Sequence, residues 1–497
     1  MRYSKFIKVI TFICLLLVAS SCADDDLFGD TNTNKEAFPT LDPNLLITTI
    51  QASLSGGRLE QWRTNLVYGE GFVQHLGGSS AVSNYGAFFN HNAAYEEALW
   101  QSNYSNGLVR YLVDVLERTK DEERLANVNA VAKILKVMVF QRLTDTYGDV
   151  PYSEAGQGYY KGIFYPAYDD QKDIYYDFFE LLDQAFNQLD DGEQADKITG
   201  DNFYEGDISK WKKLANSLRL RCAMRIALVD REKAIAEIES ALANGIFQNN
   251  NDSCYGHHED VEFGTAGAQI NGNGLSQALR GNGSVMDHPT KTLIRNLQGD
   301  PRLTMWFLPG NISGIEGLDA NNFSYEHPGG ADNLGLLRPL LYRNDAPYLH
   351  ISYAETQLLL AEAVVRGLIQ GNALNYYQNG IRASILQWTA YGVSINAAEA
   401  RSFAEGKTLT PNNKLEEIIT QQWLTHFLNG IEAYANYRRT GMPALEPITR
   451  PESSTNGVMP KRIPYPGGES IINPEHFEEA NSKYPNGWLS ALWWDVE

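Results

Sequence analysis

Residues 121–151 read DEERLANVNAVAKILKVMVFQRLTDTYGDVP. Val131, Ile134, Leu135, Met138, Val139 and Leu143 recur three and four positions apart, the spacing that gathers side chains on one face of a helix. Asp121, Glu122 and Glu123 put acids at the start, where the helix dipole favours them. Tyr147-Gly148 stops the pattern, and Pro151 beyond it cannot continue a helix. The stretch is a long helix ended by a sharp turn. The same periodicity returns over 169–189, which is rich in Tyr and Phe, and over 209–229, where Ser209 is placed as the N-cap. It returns again over 231–242, closing at Asn244-Gly245, and over 348–368, 372–388 and 411–428. The expected fold class is all-α.

These helices follow one another in pairs, with small residues on the facing stripes. Ala354, Leu358, Ala361 and Val365 form one stripe; Ala234, Ile238 and Ala241 form another. Small side chains let helix axes approach closely, as in tetratricopeptide-like pairs, although the 34-residue period is degenerate here. The chain changes character over about 246–346, which is rich in Gly and Asn (Gly264-Thr265-Ala266-Gly267, Asn271-Gly272-Asn273-Gly274), and again over 442–475, rich in Pro and Gly. Both are expected to be irregular, and long irregular segments on a helical scaffold commonly carry binding residues.

The 497 residues are 43% hydrophobic and 21% charged, enough apolar material for a sizeable core. The formal net charge of −20 repels phosphate backbones and argues against nucleic-acid partners and against docking on anionic lipid heads. The N-terminus reads as an export signal. Arg2, Lys5 and Lys8 precede an apolar run, 9–19, that is too short for a bilayer span of roughly 20 residues. Val18-Ala19-Ser20-Ser21-Cys22 is similar to the lipobox of bacterial lipoproteins, which makes Cys22 the lipid-attachment residue. Acyl chains stabilise membrane attachment by about 0.8 kcal/mol per buried methylene. Asp24-Asp25-Asp26 directly after it resembles a surface-export signal. The expected division is a signal peptide over 1–21, a flexible lipidated tether over 22–42 and one helical domain over 43–497, displayed on the outer membrane and facing the exterior.

Catalytic signatures are missing. There is no GxSxG, HExxH or Rossmann fingerprint, and Gly406-Lys407-Thr408 lacks the earlier glycine of a phosphate loop, since Arg401 stands there. Asp30–Asn34 starts like a calcium loop, but Lys35 and Leu41 occupy the Gly and Glu positions. His257-His258-Glu259-Asp260 reads as a solvated loop, because adjacent residues rarely aim at one ion. No cofactor and no metal site is expected. Cys222 and Cys254 could pair in an oxidising compartment; the apolar helical setting of Cys222 favours a buried free thiol. A glycoside hydrolase needs only two suitably spaced carboxylates, and 61 acids neither exclude nor single out such a pair.

Aromatic residues mixed with amides point to a ligand. Flat rings match the C–H faces of pyranoses, and amides and Arg bond the hydroxyls. One candidate region, 62–89, supplies Trp62, Tyr68, Gln74, His75 and Tyr85; the other, 264–288, supplies Asn271, Asn273, Gln277, Arg280, Asn282 and His288. For Trp62, Tyr68 and Tyr85 core packing is the competing reading. Trp100 and Tyr104, leading into Leu108 and Leu112, are read as core.

Several segments in the right order resemble the SusD/RagB family of outer-membrane nutrient-binding lipoproteins. They are Cys22, the run Tyr147–Ala155 (YGDVPYSEA), Trp211–Arg221 (WKKLANSLRLR), Asp300-Pro301-Arg302-Leu303, Glu355–Glu362 (ETQLLLAE), Gln421-Gln422-Trp423 and Lys461–Pro466 (KRIPYP). The resemblance implies tetratricopeptide-like helix pairs with a loop-rich ligand face. It implies capture, without cleavage, of an oligosaccharide or in some members a peptide. It also implies a partner, a TonB-dependent transporter of the SusC type on which the lipoprotein sits as a lid. Ligand residues vary within that family, so none is carried over. The alternative from another class is a surface-anchored glycoside hydrolase, which would release product.

Overall fold

The structure, a computed structural model, describes residues 42–78, 84–262, 264, 271–281, 288–310, 317, 319, 321 and 334–496. The readings of the signal, Cys22, Asp24–Asp26, the tether and the calcium-like turn at 30–41 fall outside the described residues, as does Asn282. The unit described is Pro43–Glu497.

Helices dominate it. They are α1 (Pro43–Leu54), α2 (Leu108–Thr119), α3 (Ala126–Tyr147), α4 (Gln171–Gln188), α5 (Ile208–Ile226), α6 (Arg231–Asn244), α7 (Gly274–Gly281), α8 (Tyr353–Val365), α9 (Ala373–Leu386), α10 (Ala397–Glu405), α11 (Lys414–Thr425), α12 (Gly430–Thr440) and α13 (Pro474–Ser482). Sequential neighbours pack as antiparallel partners: α2 on α3, α3 on α4, α5 on α6, and α8 on α9. The fold class is all-α and tetratricopeptide-like. At the α8–α9 crossing a Cβ on Gly380 would stand 2.6 Å from Leu358 Cγ, so the two helices meet at glycine distance.

The long helix read from the sequence is α3, and its residues 134–135 and 137–141 are all buried. It ends at Gly148, whose φ of 91° suits glycine. The cap of α5 differs from expectation. Asp207 accepts the Lys210 N–H at 3.1 Å, so the helix begins at Ile208 and Ser209 lies inside it. Asp outbids Ser here because a carboxylate also meets the positive end of the helix dipole. The 348–368 helix is split: Tyr348–Ile351 is a strand, and Ser352 caps α8 by accepting the Glu355 N–H at 3.0 Å.

The described part of the 246–346 segment contains regular elements. Besides α7, it carries the short strand Cys254–Gly256, which pairs antiparallel with Tyr348–Ile351, the strand His288–Pro289, which pairs with Leu76–Gly77, and Phe307–Leu308, which pairs with Leu336–Leu337. Cys222 and Cys254 are both buried, free thiols.

The core holds a lattice of buried ion pairs between helices. Arg221 on α5 grips Glu355 on α8 through Nε and Nη2, each 2.6 Å from a carboxylate oxygen. Arg439 on α12 grips Glu362 of α8 at 2.5 and 2.7 Å, and Gln422 of α11 donates to the same carboxylate at 2.9 Å. Arg302 pairs with Asp300 at 2.7 Å and reaches Gln421 at 2.6 Å. Burial pushes the Glu362 carboxyl up, but the field and bonds of Arg439 prevail and hold it down at about 2. The folded state therefore binds this proton more weakly than the unfolded chain. Its contribution is complete above pH 4.5 and is lost as pH falls towards 2, amounting to about 3 kcal/mol. Glu362→Gln is expected to cost about 3–5 kcal/mol at neutral pH, because it strands the Arg439 charge, and to flatten the stability profile between pH 4.5 and 2. Urea unfolding at a series of pH values measures both.

Candidate functional site

The 62–89 region folds as a π-helix, Gln61–Glu70, followed by a tight turn into the strand Leu76–Gly77. Two glycines set its position. A Cβ on Gly69 would lie 2.4 Å from the Gly430 carbonyl carbon, so the π-helix lies backbone against backbone on α12. Asn65 locks the contact, donating to Leu428 O at 3.1 Å.

This packing turns most of the expected ligand residues inwards. Tyr68 is fully buried, stacked on Phe72 at 4.9 Å and edge-on to Trp488 at 5.5 Å. Its hydroxyl accepts the Asn92 N–H at 3.1 Å, and burial raises its pKa far above the usual phenol range. Gln74 spends its amide on Glu446 O at 2.7 Å and on the Thr292 hydroxyl at 2.7 Å. His75 Nδ1 lies 2.9 Å from Glu70 Oε2, and its ring lies 4.2 Å from Trp423; both residues are fully buried. Burial raises the Glu70 carboxyl despite that contact. Asn273 caps α7 and bonds Ala346 O at 2.6 Å. These side chains present essentially no surface to a ligand, and each correction has the same cause: long-range partners satisfy the polar groups inside. Trp62 and Tyr85 are half-buried and both pack on Tyr95, at 5.4 and 5.0 Å. Arg280 is exposed and donates to Tyr342 O at 3.0 Å; half-buried His288 has Nδ1 2.8 Å from Gly335 O. Gln277 is buried, and Asn271 is exposed and donates to Glu259 at 3.0 Å. The described parts of the two regions meet where Leu76–Gly77 pairs with His288–Pro289, with Tyr68 turned into the core and Trp62 and Tyr85 packed on Tyr95.

The structure builds a surface groove of about 270 Å³ beside Trp62. Arg58, Glu60 and Arg63 form one wall, and Gln101, Ser102 and Asn106 the other. The groove lies between the π-helix Gln61–Glu70 and a second π-helical stretch, Gln101–Ser105. Wide helical turns of this kind recur at functional sites. The Arg63 guanidinium rests 5.7 Å from the centroids of both Trp62 and Tyr95, which steadies it. Two lining residues carry buried polar atoms without a hydrogen-bond partner, Glu60 Oε2 and Arg63 Nε, and so does their sequence neighbour Trp62 at Nε1. An acceptor and donors side by side suit a hydroxyl or an acetamido group, which both gives and takes a hydrogen bond. The second wall, Gln101–Asn106, went unread in the sequence because Trp100 and Tyr104 marked the segment as core. That reading fits the rings themselves: Trp100 is buried, and half-buried Tyr104 packs against the core.

Among the described residues one set of potential metal ligands converges, Glu355, His426 and Glu432, all buried. Arg221 already holds Glu355, and Arg225 bonds both Glu432 and Asp145. With its carboxylates so occupied, the set is a charge-balanced knot and a poor cation cage. His257 and Glu259 are exposed, and burial pulls the His258 pKa down to about 4.

Residues 34–466 match a family model described as SusD-like, "Starch-binding associating with outer membrane". The chain belongs to the SusD-like family. A solved chitin-binding protein is 42% identical and superposes with a TM-score of 0.84, over 92% of this chain and 100% of that one. A Bacteroidetes SusD-like protein is 27% identical with a TM-score of 0.80, over 92% and 100%. A SusD homolog from Bacteroides uniformis is 27% identical with a TM-score of 0.75, over 92% and 99%. A search of curated proteins found no match.

The burial pattern separates core rings from groove residues. Tyr68→Ala is expected to cost about 3–5 kcal/mol through the cavity it leaves. Gln101→Ala, at an exposed position, is expected to change stability by less than about 0.5 kcal/mol. Denaturant titration of the two variants checks the assignment.

Proposed function

We propose that this SusD-like protein is a non-catalytic capture lipoprotein, which binds an oligosaccharide in the groove between the two π-helical stretches and passes it to a TonB-dependent outer-membrane transporter of the SusC type. The observation that carries the ligand half is the pair of unpartnered buried polar atoms, Glu60 Oε2 and Arg63 Nε, on residues that line a groove with exposed Gln101 and Asn106. The chitin-binding neighbour at 42% identity supports a β-linked N-acetylglucosamine oligomer as the first ligand to try, and the family description supports starch oligomers as the second. The acetamido group offers an N–H to Glu60 and a carbonyl to Arg63. Isothermal titration with chitohexaose and maltohexaose is the test. Saturable binding is expected, weakened about three- to tenfold by Gln101→Ala and by Asn106→Ala, the effect of one lost hydrogen bond each. Recovery of the ligand uncut after hours distinguishes capture from hydrolysis. Wild-type affinity in both variants, or no saturation with either oligomer, overturns the assignment of the groove.

Anchoring and partner rest on the sequence and on the surface. Val18–Cys22 supports a lipid on Cys22, and Asp24–Asp26 supports display on the outer face. For the partner, the surface keeps large exposed apolar side chains on two turns: Tyr159, Phe164 and Tyr165 on one, Ile471 and Ile472 on the other. The turns are bonded to each other, Asn473 donating to Pro166 O at 2.7 Å and Tyr168 to Glu469 at 3.0 Å. Apolar surface held rigid in this way suits protein contact. Mild detergent extraction is expected to bring a β-barrel protein down with the lipoprotein, and Cys22→Ala to leave it out of the detergent phase. Purification of the lipoprotein alone, or a variant still in the detergent phase, counts against the respective half.

A further inference from the structure

A second groove, of about 370 Å³, lies between α2, α3 and the turn that follows the strand Val150–Pro151. It shares no lining residue with the groove beside Trp62. In a chain with a net charge of −20 it is lined by three lysines, Lys120, Lys133 and Lys136. Lys133 and Lys136 stand three apart on α3, so they project from one helix face.

Their partners do not balance them. Lys120 is paired with Glu117 at 2.7 Å. Lys136 is mostly buried, with Nζ 3.9 Å above the Tyr152 ring and 3.7 Å from Asp177. Half-buried Lys133 donates to the neutral Gln188 amide at 2.9 Å, and no carboxylate lies within ion-pair distance of it among the described residues. One positive charge is left over. Burial draws the Lys133 and Lys136 ammoniums below the usual lysine range, the condition that an incoming anion relieves. Beside them Gln157 is 7% exposed; its amide nitrogen donates to Glu117 at 3.0 Å, while its Oε1 is buried without a partner. The groove thus offers an ammonium lacking a counter-ion and an acceptor lacking a donor, with the exposed Ser153 and Gln184 at its edge.

We infer that this groove is a second ligand site, which binds an anionic group carried on a polyhydroxylated ligand, namely the carboxylate of an acidic saccharide. Lys133 meets the charge, with Lys120 and Lys136 beside it, and Gln157 Oε1 accepts a ring hydroxyl. The ammoniums are point charges with rotatable donors, so the site selects on charge without demanding the planar fork geometry of arginine. A sulfate ester would satisfy the same cations. An acidic peptide brings the charge without the hydroxyls. The inference stands independently of the ligand assigned to the first groove.

The test uses the full folded chain and saturation-transfer NMR with glucuronate, glucose 6-sulfate, glucose and a tetraglutamate peptide. Glucuronate is expected to bind at least about tenfold more tightly than glucose, with the advantage falling as salt is raised. Lys133→Gln is expected to abolish that advantage and Lys120→Gln, at a largely exposed position, to reduce it, while Gln101→Ala in the first groove leaves it intact. A preference for the sulfate that depends equally on Lys133 keeps the site and changes the anion. Glucose binding as tightly as glucuronate, an advantage that survives in both lysine variants, or tetraglutamate binding with the same lysine dependence and equal affinity overturns the proposal.

Discussion

Buried arginines bound to carboxylates on other helices are the constraint from which the remaining geometry follows. Arg221 to Glu355 ties α5 to α8, Arg439 to Glu362 ties α12 to α8, and Arg225 to Glu432 and Asp145 ties α5 to α12 and α3. Such pairs add little net stability over apolar residues of similar volume, because desolvation consumes most of the Coulomb attraction. Their consequence is register. A fork of two N–H donors meets a carboxylate in one alignment only, and a helix slipped by one turn would leave bare charges in the core. The helix pairs, with their small facing residues, would tolerate sliding; the ion pairs forbid it. Once α12 is fixed, the glycine contact at Gly69 and Gly430 fixes the π-helix, and with it one wall of the first groove.

The segments that carried the family resemblance turn out to be one another's partners. Trp211–Arg221 and Glu355–Glu362 meet through Arg221 and Glu355. The Asp300–Leu303 segment meets Gln421–Trp423 through Arg302 and Gln421, and Gln422 meets Glu362. Tyr147–Ala155 meets Lys461–Pro466: Arg462 donates to Tyr147 O at 2.8 Å, and Tyr465 to Asp149 O at 2.6 Å. Strings from 60 to more than 300 positions apart were legible as an ordered series resembling one family, whereas one string alone is a weak signal. What a single string cannot express is the partner that makes the charge affordable. Helices with strong periodicity, α3 through α6 and α8 with α9, were legible for a simpler reason, since an apolar stripe needs no knowledge of what covers it.

The candidate site was less legible, and Gln74 illustrates why. A glutamine amid aromatic residues reads equally as a ligand contact or as a buried amide satisfied from afar. Here its partners are Glu446 and Thr292, more than 200 positions away, and nothing local distinguishes the cases. Tyr68 and His75 failed the same way. The residues that do line the groove, Arg58, Glu60, Gln101 and Asn106, carry no periodic signal, because a groove is defined by the gap between two segments. The insert at 246–346 was read as irregular from its Gly and Asn content, yet its Cys254–Gly256 strand is recruited by the strand Tyr348–Ile351. Strand pairing is a property of two segments, and composition reports only one.

The first groove is lined by the segments that precede α2 and the second by α2, α3 and the turn after Gly148, where regular pairing gives way to wide or tight turns. That location has a physical reason. In the interior of the helical pairs the main charged groups have partners on other helices, as Arg221 has in Glu355 and Arg439 in Glu362. Where a π-helical turn or the Gly148 turn interrupts the pairing, the backbone bulges, side chains splay, and atoms such as Glu60 Oε2 and Gln157 Oε1 are buried without a partner. Each such atom costs about 1–3 kcal/mol in the unliganded protein. A scaffold locked by buried ion pairs holds these atoms in place against relaxation, so a ligand that satisfies them recovers that cost upon binding. The rigidity of the core and the reactivity of the grooves towards hydroxylated ligands are in this sense the same property, expressed in the middle of the helices and at their interruptions.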